Sequence, residues 1–592
     1  MKISFAEYYS LLLLLISFTT FGQSPEAEIP SEKIKLNQVG FYPEGPKIAV
    51  VQGIRNSTFK VLKADDKAEV YNGKLSEAKF WPHSNETVMQ ADFSSLETPG
   101  KYFITVPGLG SSYSFEVREK VHFDPAKASI KAFYFQRVST ALPEEFAGKW
   151  AREAGHPDVE VLIHNSAATV TRSVGSTISS PGGWYDAGDY GKYIVNSGIT
   201  TATLLSLYED FPEYMATLDL NIPESNNSVP DLLDETLYNL RWMMTMQDED
   251  GGVYHKLTSD NFQGSVMPKD ATYQRWVVQK GTAATLDFAA VTAQGARIFR
   301  KYKTELPGLA DSLLVMSRKA YDWAKENPDV VYNQEQLKDP AINTGAYGDQ
   351  DFEDEFQWAA TELFITTGEE QYYKEAKIEQ SLSGAGKEFR IPSWPNVNTL
   401  ALYSLARNRE NYKDNELVSV KAILEKIIEM ANELVEYSKS SAYGVPMGVK
   451  ESNFAWGSNS EAANQGILLI NAYKISGEKK YLDAAIQNLD YLLGRNATGF
   501  SFLTGFGEKA TRDPHHRPSE ADGIDDPVPG LLAGGPNPGQ QDKASCGEKY
   551  TEAHQYPATS YIDDRCSYAS NEIAINWNAP FAYLANAIEA LK

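Results

Sequence analysis

Cysteine is nearly absent: two residues in 592, Cys546 and Cys566. That excludes a disulfide-dense scaffold, and two thiols without partners at ligand spacing are poor material for a zinc site. Positive charge is also scarce. Lys and Arg number 55 against 79 Asp and Glu, a formal net charge of −24. Nucleic-acid binding rests on basic side chains neutralising phosphate, so this balance argues against it, and against anionic membranes too. Solubility alone accounts for the acidity, and a neutral polymer would bind without help from net charge. Beyond the first 22 residues no apolar run reaches membrane-spanning length.

Those first 22 residues read as an export signal. Lys2 supplies a positive start, Leu11 to Phe18 is a short apolar stretch, and Thr20 and Gly22 are small residues at cleavage positions. Gln23, not Cys, follows the expected cut, so no lipid anchor is indicated. The expectation is an exported chain, secreted or periplasmic. There Cys546 and Cys566 would pair, closing a loop worth on the order of 3 kcal/mol in the chain-entropy model.

From about residue 32 to 119 the apolar pattern has a period of two. Tyr102, Ile104 and Val106 alternate with Phe103 and Thr105, and Tyr113, Phe115 and Val117 repeat the pattern. Pro99-Gly100 and Pro107-Gly108 punctuate it. Short strands at this spacing predict a small β-sandwich, a structural or docking module with carbohydrate binding as the alternative.

From residue 123 to the end the period becomes helical. About twelve segments follow, near 126–140, 191–211, 229–247, 282–303, 308–327, 353–367, 369–379, 396–408, 415–438, 460–476, 478–493 and 571–591. Several end in Thr-Gly or Ser-Gly, a normal helix stop. Six helical hairpins can close into an (α/α)₆ toroid with a cleft at one end. The predicted fold is therefore mainly α, an (α/α)₆ toroid preceded by an immunoglobulin-like β-sandwich. The longest irregular connection, about 495–570, is rich in Gly, Pro, Asp and His, and loops of that length are usually functional or disordered.

Two acidic stretches carry chemistry. Gly182-Gly183-Trp184-Tyr185-Asp186-Ala187-Gly188-Asp189 sets two carboxylates three residues apart among glycines and rings. The glycines permit tight or left-handed backbone, and the rings offer flat faces to a sugar. The alternative is a plain turn with Asp189 capping the next helix. Almost 400 residues later, Glu572 stands at the head of the last helical segment. Hydrolysis of a glycosidic bond needs one carboxylic acid to protonate the leaving oxygen and one carboxylate to take a proton from water. Burial and neighbouring carboxylates would keep Glu572 protonated; a helix dipole alone would do the reverse.

With these motifs in view, the chain resembles glycoside hydrolase family 9, the cellulases once called family E. Trp184 to Asp189 is similar to its aspartate motif. Ser501 to Lys509, running on to Pro514-His515-His516-Arg517, is similar to its histidine signature. Tyr561-Ile562-Asp563 through Tyr568 to Glu572 and Asn578-Ala579 is similar to its acidic signature. The resemblance spans about residues 32–592, including an immunoglobulin-like domain ahead of the catalytic one. It implies inverting hydrolysis of β-1,4-linked glucans, with a polysaccharide or oligosaccharide as substrate. It makes Glu572 the general acid and Asp189 the base, with Asp186 holding the water. It puts His515 and Arg517 against the sugar, with Asp563 supporting the acid loop.

Further expectations follow from the resemblance. His255, in a stretch similar to a cleft segment, is a candidate sugar contact. Trp358, Trp456 and Tyr568 are candidate stacking platforms, with core packing as the alternative. Asp349, Asp354 and Glu355, in an acid-rich turn, are candidate ligands for a structural calcium, against a merely solvated turn. No cofactor is needed for the chemistry. Relatives with this sandwich often carry a cysteine–histidine zinc site. The matching region here has His156 and His164 but no cysteine, which argues against zinc. Substrate alternatives are xyloglucan, mixed-linkage glucan, short oligosaccharides cut from their ends, and glucosamine-type sugars. A glucan-binding protein without catalysis is the alternative of a different class.

Overall fold

The computed structural model describes residues 29–53, 58–412 and 415–592. The export signal expected over 1–22 lies outside the described residues. The chain then builds a β-sandwich. Its strands are β1 (Ile34–Lys35), β2 (Gly40–Phe41), β3 (Ile48–Gln52), β4 (Thr58–Lys63), β5 (Glu69–Lys74), β6 (Lys79–Trp81), β7 (Glu86–Asp92), β8 (Gly100–Val106), β9 (Gly110–Ser111) and β10 (Phe115–Val117). One sheet runs β1-β3-β7-β6 and the other β2-β10-β8-β4-β5, with β9 on the flank of β8. Alternation does what it predicts: Tyr102, Ile104 and Val106 turn inward, and Val61 stands opposite Ile104 in register.

Among the described residues, twelve helices of seven residues or more follow. They are α1 (Phe123–Phe135), α2 (Ile194–Asp210), α3 (Asp231–Thr245), α4 (Thr282–Phe299), α5 (Leu309–Glu326), α6 (Glu353–Thr367), α7 (Glu370–Ala376), α8 (Asn398–Arg407), α9 (Val420–Ser440), α10 (Ser458–Ser476), α11 (Lys479–Leu492) and α12 (Ile575–Leu591). They sort by burial into two rings. α4 is buried at every residue but Arg297, because Ala, Thr and Gly line faces that must pass close to neighbours on all sides. α9 buries only Ile423, Ile427, Ala431, Leu434 and Val435, the single stripe of an outer helix. The even-numbered helices α2, α4, α6, α8, α10 and α12 form the inner ring, and α12 returns to pack on α2. This is an (α/α)₆ toroid.

A third sheet, which the sequence pattern did not disclose, caps one end. Its strands are β11 (Val161–Ile163), β12 (Thr177–Ile178), β13 (Lys192–Tyr193), β14 (Lys256–Ser259) and β15 (Arg275–Val277), in the order β12-β11-β15-β14-β13. These strands of two to four residues are too short to show a period. They matter because β13 leads directly into α2, and the segments just before α2, α6, α8, α10 and α12 all converge at this end.

Candidate active site

The first acidic loop is held rigidly before it reaches the cleft. Gly182 and Gly183 take left-handed backbone, with φ of 80° and 79°. Trp184 is buried and donates its indole N–H to Glu235 Oε1 at 2.9 Å, and Tyr185 meets His156 Nδ1 at 2.7 Å. Lys192 anchors the loop from below, paired with Asp158 at 2.8 Å and donating to the carbonyls of Ser180 and Gly182. Gly188 is different. Its φ is ordinary, and a Cβ there would lie 2.1 Å from the His515 carbonyl oxygen. It is small because another chain segment lies against it.

That segment is the histidine motif. The Arg517 amide and Nη1 both donate to the Gly188 carbonyl, at 3.2 and 2.7 Å. His515 pairs in turn with the acidic signature, its amide donating to Asn571 O at 2.9 Å. The Ile575 amide donates to the Asp186 carbonyl at 2.8 Å. Asp563 clamps the two loops together, accepting from the amides of Arg512 and Asp513 and from Asn571 Nδ2. Three distant stretches are thus laced by backbone hydrogen bonds, and Asp186, Asp189 and Glu572 line one groove of about 890 Å³.

The carboxylates differ in surroundings. Asp189 accepts at Oδ2 from the Gly191 amide (2.9 Å) and the Tyr193 hydroxyl (3.1 Å). It caps no helix: α2 starts at Ile194 with Tyr193 as its N-cap residue. Asp186 accepts from Asn196 Nδ2 at 2.9 Å and from the Tyr347 hydroxyl at 2.8 Å. Burial, then the charge of Asp189, pushes Asp186 up to about 8. Burial, then Asp189, also drives Glu572 well above the usual carboxylate range, with Arg517 opposing.

Around the acids, His515, Arg517, Tyr568 and Trp456 all line the groove. Trp456 is 46% exposed, and its ring lies 5.7 Å from that of Tyr568. The His515 ring is held by the Arg565 carbonyl at 2.7 Å. His516, whose part the sequence left open, is buried away from the groove against Gln136 and Ser519.

Two expectations fail. Trp358 is fully buried in α6, its indole directed at Glu362 within the same helix, so it packs the toroid wall and meets no sugar. His255 is also buried. It stacks on Tyr332 at 3.8 Å and holds the Ala346 carbonyl at 2.7 Å, so it supports the loop bearing Tyr347 rather than touching substrate. Four aromatic groove residues were missed: Tyr347, Trp394, Trp577 and Phe262. Tyr347 lies inside the acid-rich turn, where the carboxylates point toward a metal; a tyrosine between Gly345 and Gly348 ahead of a helix was the available signal.

The acid-rich turn is only partly satisfied by its own chain. Asp354 already receives the Lys387 ammonium and the Val397 amide, and Lys387 also reaches Asp351 at 3.2 Å. Asp349 Oδ1 is taken by the amides of Gln350 and Asp351. Both oxygens of Glu355 receive no N–H or O–H donor, nor do Asp349 Oδ2 and the two oxygens of the neighbouring Asp287; burial, then the charge of Asp354, raises Glu355 well above the usual range. One cation at this turn is a lysine of its own chain, Lys387, which reaches Asp351 and Asp354 but none of these unpaired oxygens. Of the two histidines in the region matching a zinc site, His156 is engaged by Tyr185, and His164 by Ser166 and the Pro340 carbonyl. Cys546 and Cys566 are joined as a disulfide, with Cα atoms 5.3 Å apart.

A buried carboxyl that shares a groove lined with rings with two aspartates, and is raised above the usual carboxylate range by burial, suits hydrolysis of a sugar polymer and puts the chain among the glycoside hydrolases. Comparison with known proteins narrows this. The model of glycosyl hydrolase family 9 matches residues 124–585, and that of the cellulase N-terminal Ig-like domain matches 30–111. A xyloglucan-specific endo-β-1,4-glucanase of Bacteroides ovatus is 43% identical over 99% of this chain and 98% of its own. Endoglucanase D of Acetivibrio thermocellus is 34% identical over 93% of this chain and 82% of its own. A solved structure of a Bacteroides ovatus family 9 enzyme superposes with a TM-score of 0.87, at 43% identity, covering 95% of this chain and all of that one. The chain belongs to glycosyl hydrolase family 9.

Proposed function

We propose that the protein is an endo-acting, inverting β-1,4-glucanase in which Glu572 is the general acid, Asp189 the general base and Asp186 the second holder of the attacking water. The observation that carries this is the shared groove: a carboxyl that burial raises well above the usual range, lining one cleft with a pair of aspartates. Glu572 would give its proton to the leaving glycosidic oxygen. A water seated at Asp186 and Asp189 would attack the anomeric carbon from the other face, passing its proton to Asp189. Trp456 and Tyr568 offer ring faces to sugar on one side, and His515 and Arg517 offer donors beside the acid. The endo-acting relatives favour cutting within a chain.

A second reading concerns the substrate. The 43% identity to a xyloglucan-specific enzyme, over nearly the whole of both chains, favours a branched glucan over bare cellulose. The reading also includes export, which the pattern of residues 1–22 and the cystine support.

The test is reducing-sugar release from carboxymethyl cellulose, mixed-linkage glucan and xyloglucan, with Glu572→Gln alongside. The parent should release sugar with inversion, seen as the α-anomer by proton NMR of early product. Glu572→Gln should lose about 10²–10⁴-fold in kcat. Equal release by both proteins would remove Glu572 from the acid role. Binding without release by the parent would make the chain a glucan-binding protein.

A further inference from the structure

Behind the aspartates lies a cation that the reaction as described does not use. Lys256 begins β14 and stands directly across from Tyr193 in the β13–β14 register. It is fully buried. Its ammonium spends its three donors on neutral acceptors: Gln334 Oε1 at 2.7 Å, Thr344 Oγ1 at 3.1 Å and the Gly345 carbonyl at 2.6 Å. Lys192, equally buried one strand away, sits in contact with Asp158 instead. A buried lysine with no contacting carboxylate is costly unless its charge is answered nearby. The carboxylates that answer it are Asp189 and Asp186.

The geometry connects Lys256 to both. Its Nζ lies 5.4 Å from the centre of the Tyr193 ring, whose hydroxyl donates to Asp189. Its hydrogen bonds to Thr344 and Gly345 fix the start of the turn from which Tyr347 reaches Asp186. The Tyr193 and Tyr347 rings meet edge to face at 4.9 Å. The other titratable groups against Lys256 are Tyr332, 5.5 Å away, and His255, which burial holds near 3 and therefore neutral.

We propose that Lys256 is a positioning residue for the base side of the reaction: its charge favours a carboxylate anion beside it to receive the proton of water, and its hydrogen bonds set the two tyrosines that orient the aspartate pair. The inference rests on the reading of Asp189 as the base. Burial holds Lys256 down to about 7, with Asp189 and then Asp186 opposing the fall, so it carries charge on the acidic side of neutrality, where the base must lose its proton.

The test is the pH profile of kcat/KM on a soluble β-1,4-glucan, for Lys256→Met, Lys256→Arg and Asp189→Asn. Removing a cation near a carboxylate raises the carboxylate's pKa, so Lys256→Met should move the acidic limb up by about one pH unit or more. kcat should fall while KM stays near the parent value. Lys256→Arg should keep the limb in place. Gln334→Leu and Thr344→Val keep the lysine but each remove one acceptor, which disfavours the ammonium and should shift the limb the same way by less. They also serve if Lys256→Met does not fold. A lower kcat with an unmoved limb in these variants would mean that Lys256 only supports the fold. An Asp189→Asn variant as active as the parent would overturn the base assignment instead.

Discussion

Asp186 shows how far one side chain can be pushed by its surroundings. Both oxygens are hydrogen-bonded, yet burial and Asp189 hold it at about 8. A carboxyl raised in the folded state binds its proton more tightly there than in the unfolded chain, whose value is near 4. Folding stability is then greatest below the unfolded pKa and falls as pH rises toward 8. Asp186→Asn removes the titration and keeps the shape. The variant should be the more heat-stable protein, with a Tm advantage that is small near pH 4 and grows toward pH 8, and it should be nearly inactive. Melting curves across that range check the prediction; a pH-independent difference would mean the site carries no such strain. The identity of the acids was legible because their motifs are local, but their pKa values were not. Burial arises only when loops from three parts of the chain close over them.

At the scale of elements, the site is made where segments that precede inner helices lie against one another. Gly188 is the tightest of these contacts, its absent Cβ leaving room for the His515 carbonyl. Gly188→Ala must push the histidine loop away from the aspartates, and displacements near 1 Å can cost about 10²-fold in rate. Activity should fall by that order while far-UV circular dichroism stays unchanged; a fully active variant would show that the two loops can part without harm. The sequence reading explained this glycine by backbone freedom, which holds for Gly182 and Gly183 but not here. A close approach between residues 188 and 515 has no local signature. The same limit explains other outcomes. Helix positions were legible from periodicity, whereas the five short strands of the cap, and with them the pairing of Lys256 with Tyr193, depend on contacts far apart in sequence. Trp358 sits on an inner helix, where every face is buried, so an aromatic there could not be told from a cleft platform by pattern alone.

At the scale of the molecule, the sandwich is a brace for the toroid. Tyr42 donates to Glu589 of α12 at 2.5 Å, and Asn37 to Asp490 of α11 at 2.8 Å. Gln38 exchanges hydrogen bonds with Gly499 and Lys509, on the stretch that leads to His515. Burial raises Glu589, and holds Asp490 at about 6, so both acids depend on partners from the sandwich. Two domains joined through buried polar groups cannot separate without stranding them, and an unsatisfied buried group costs about 1–3 kcal/mol. The protein should therefore unfold in one calorimetric transition. Tyr42→Phe deletes a hydroxyl and nothing else, and should lower that single Tm by the equivalent of about 1–3 kcal/mol. Two separate transitions in the parent, with Tyr42→Phe moving only one of them, would instead make the sandwich an independent appendage.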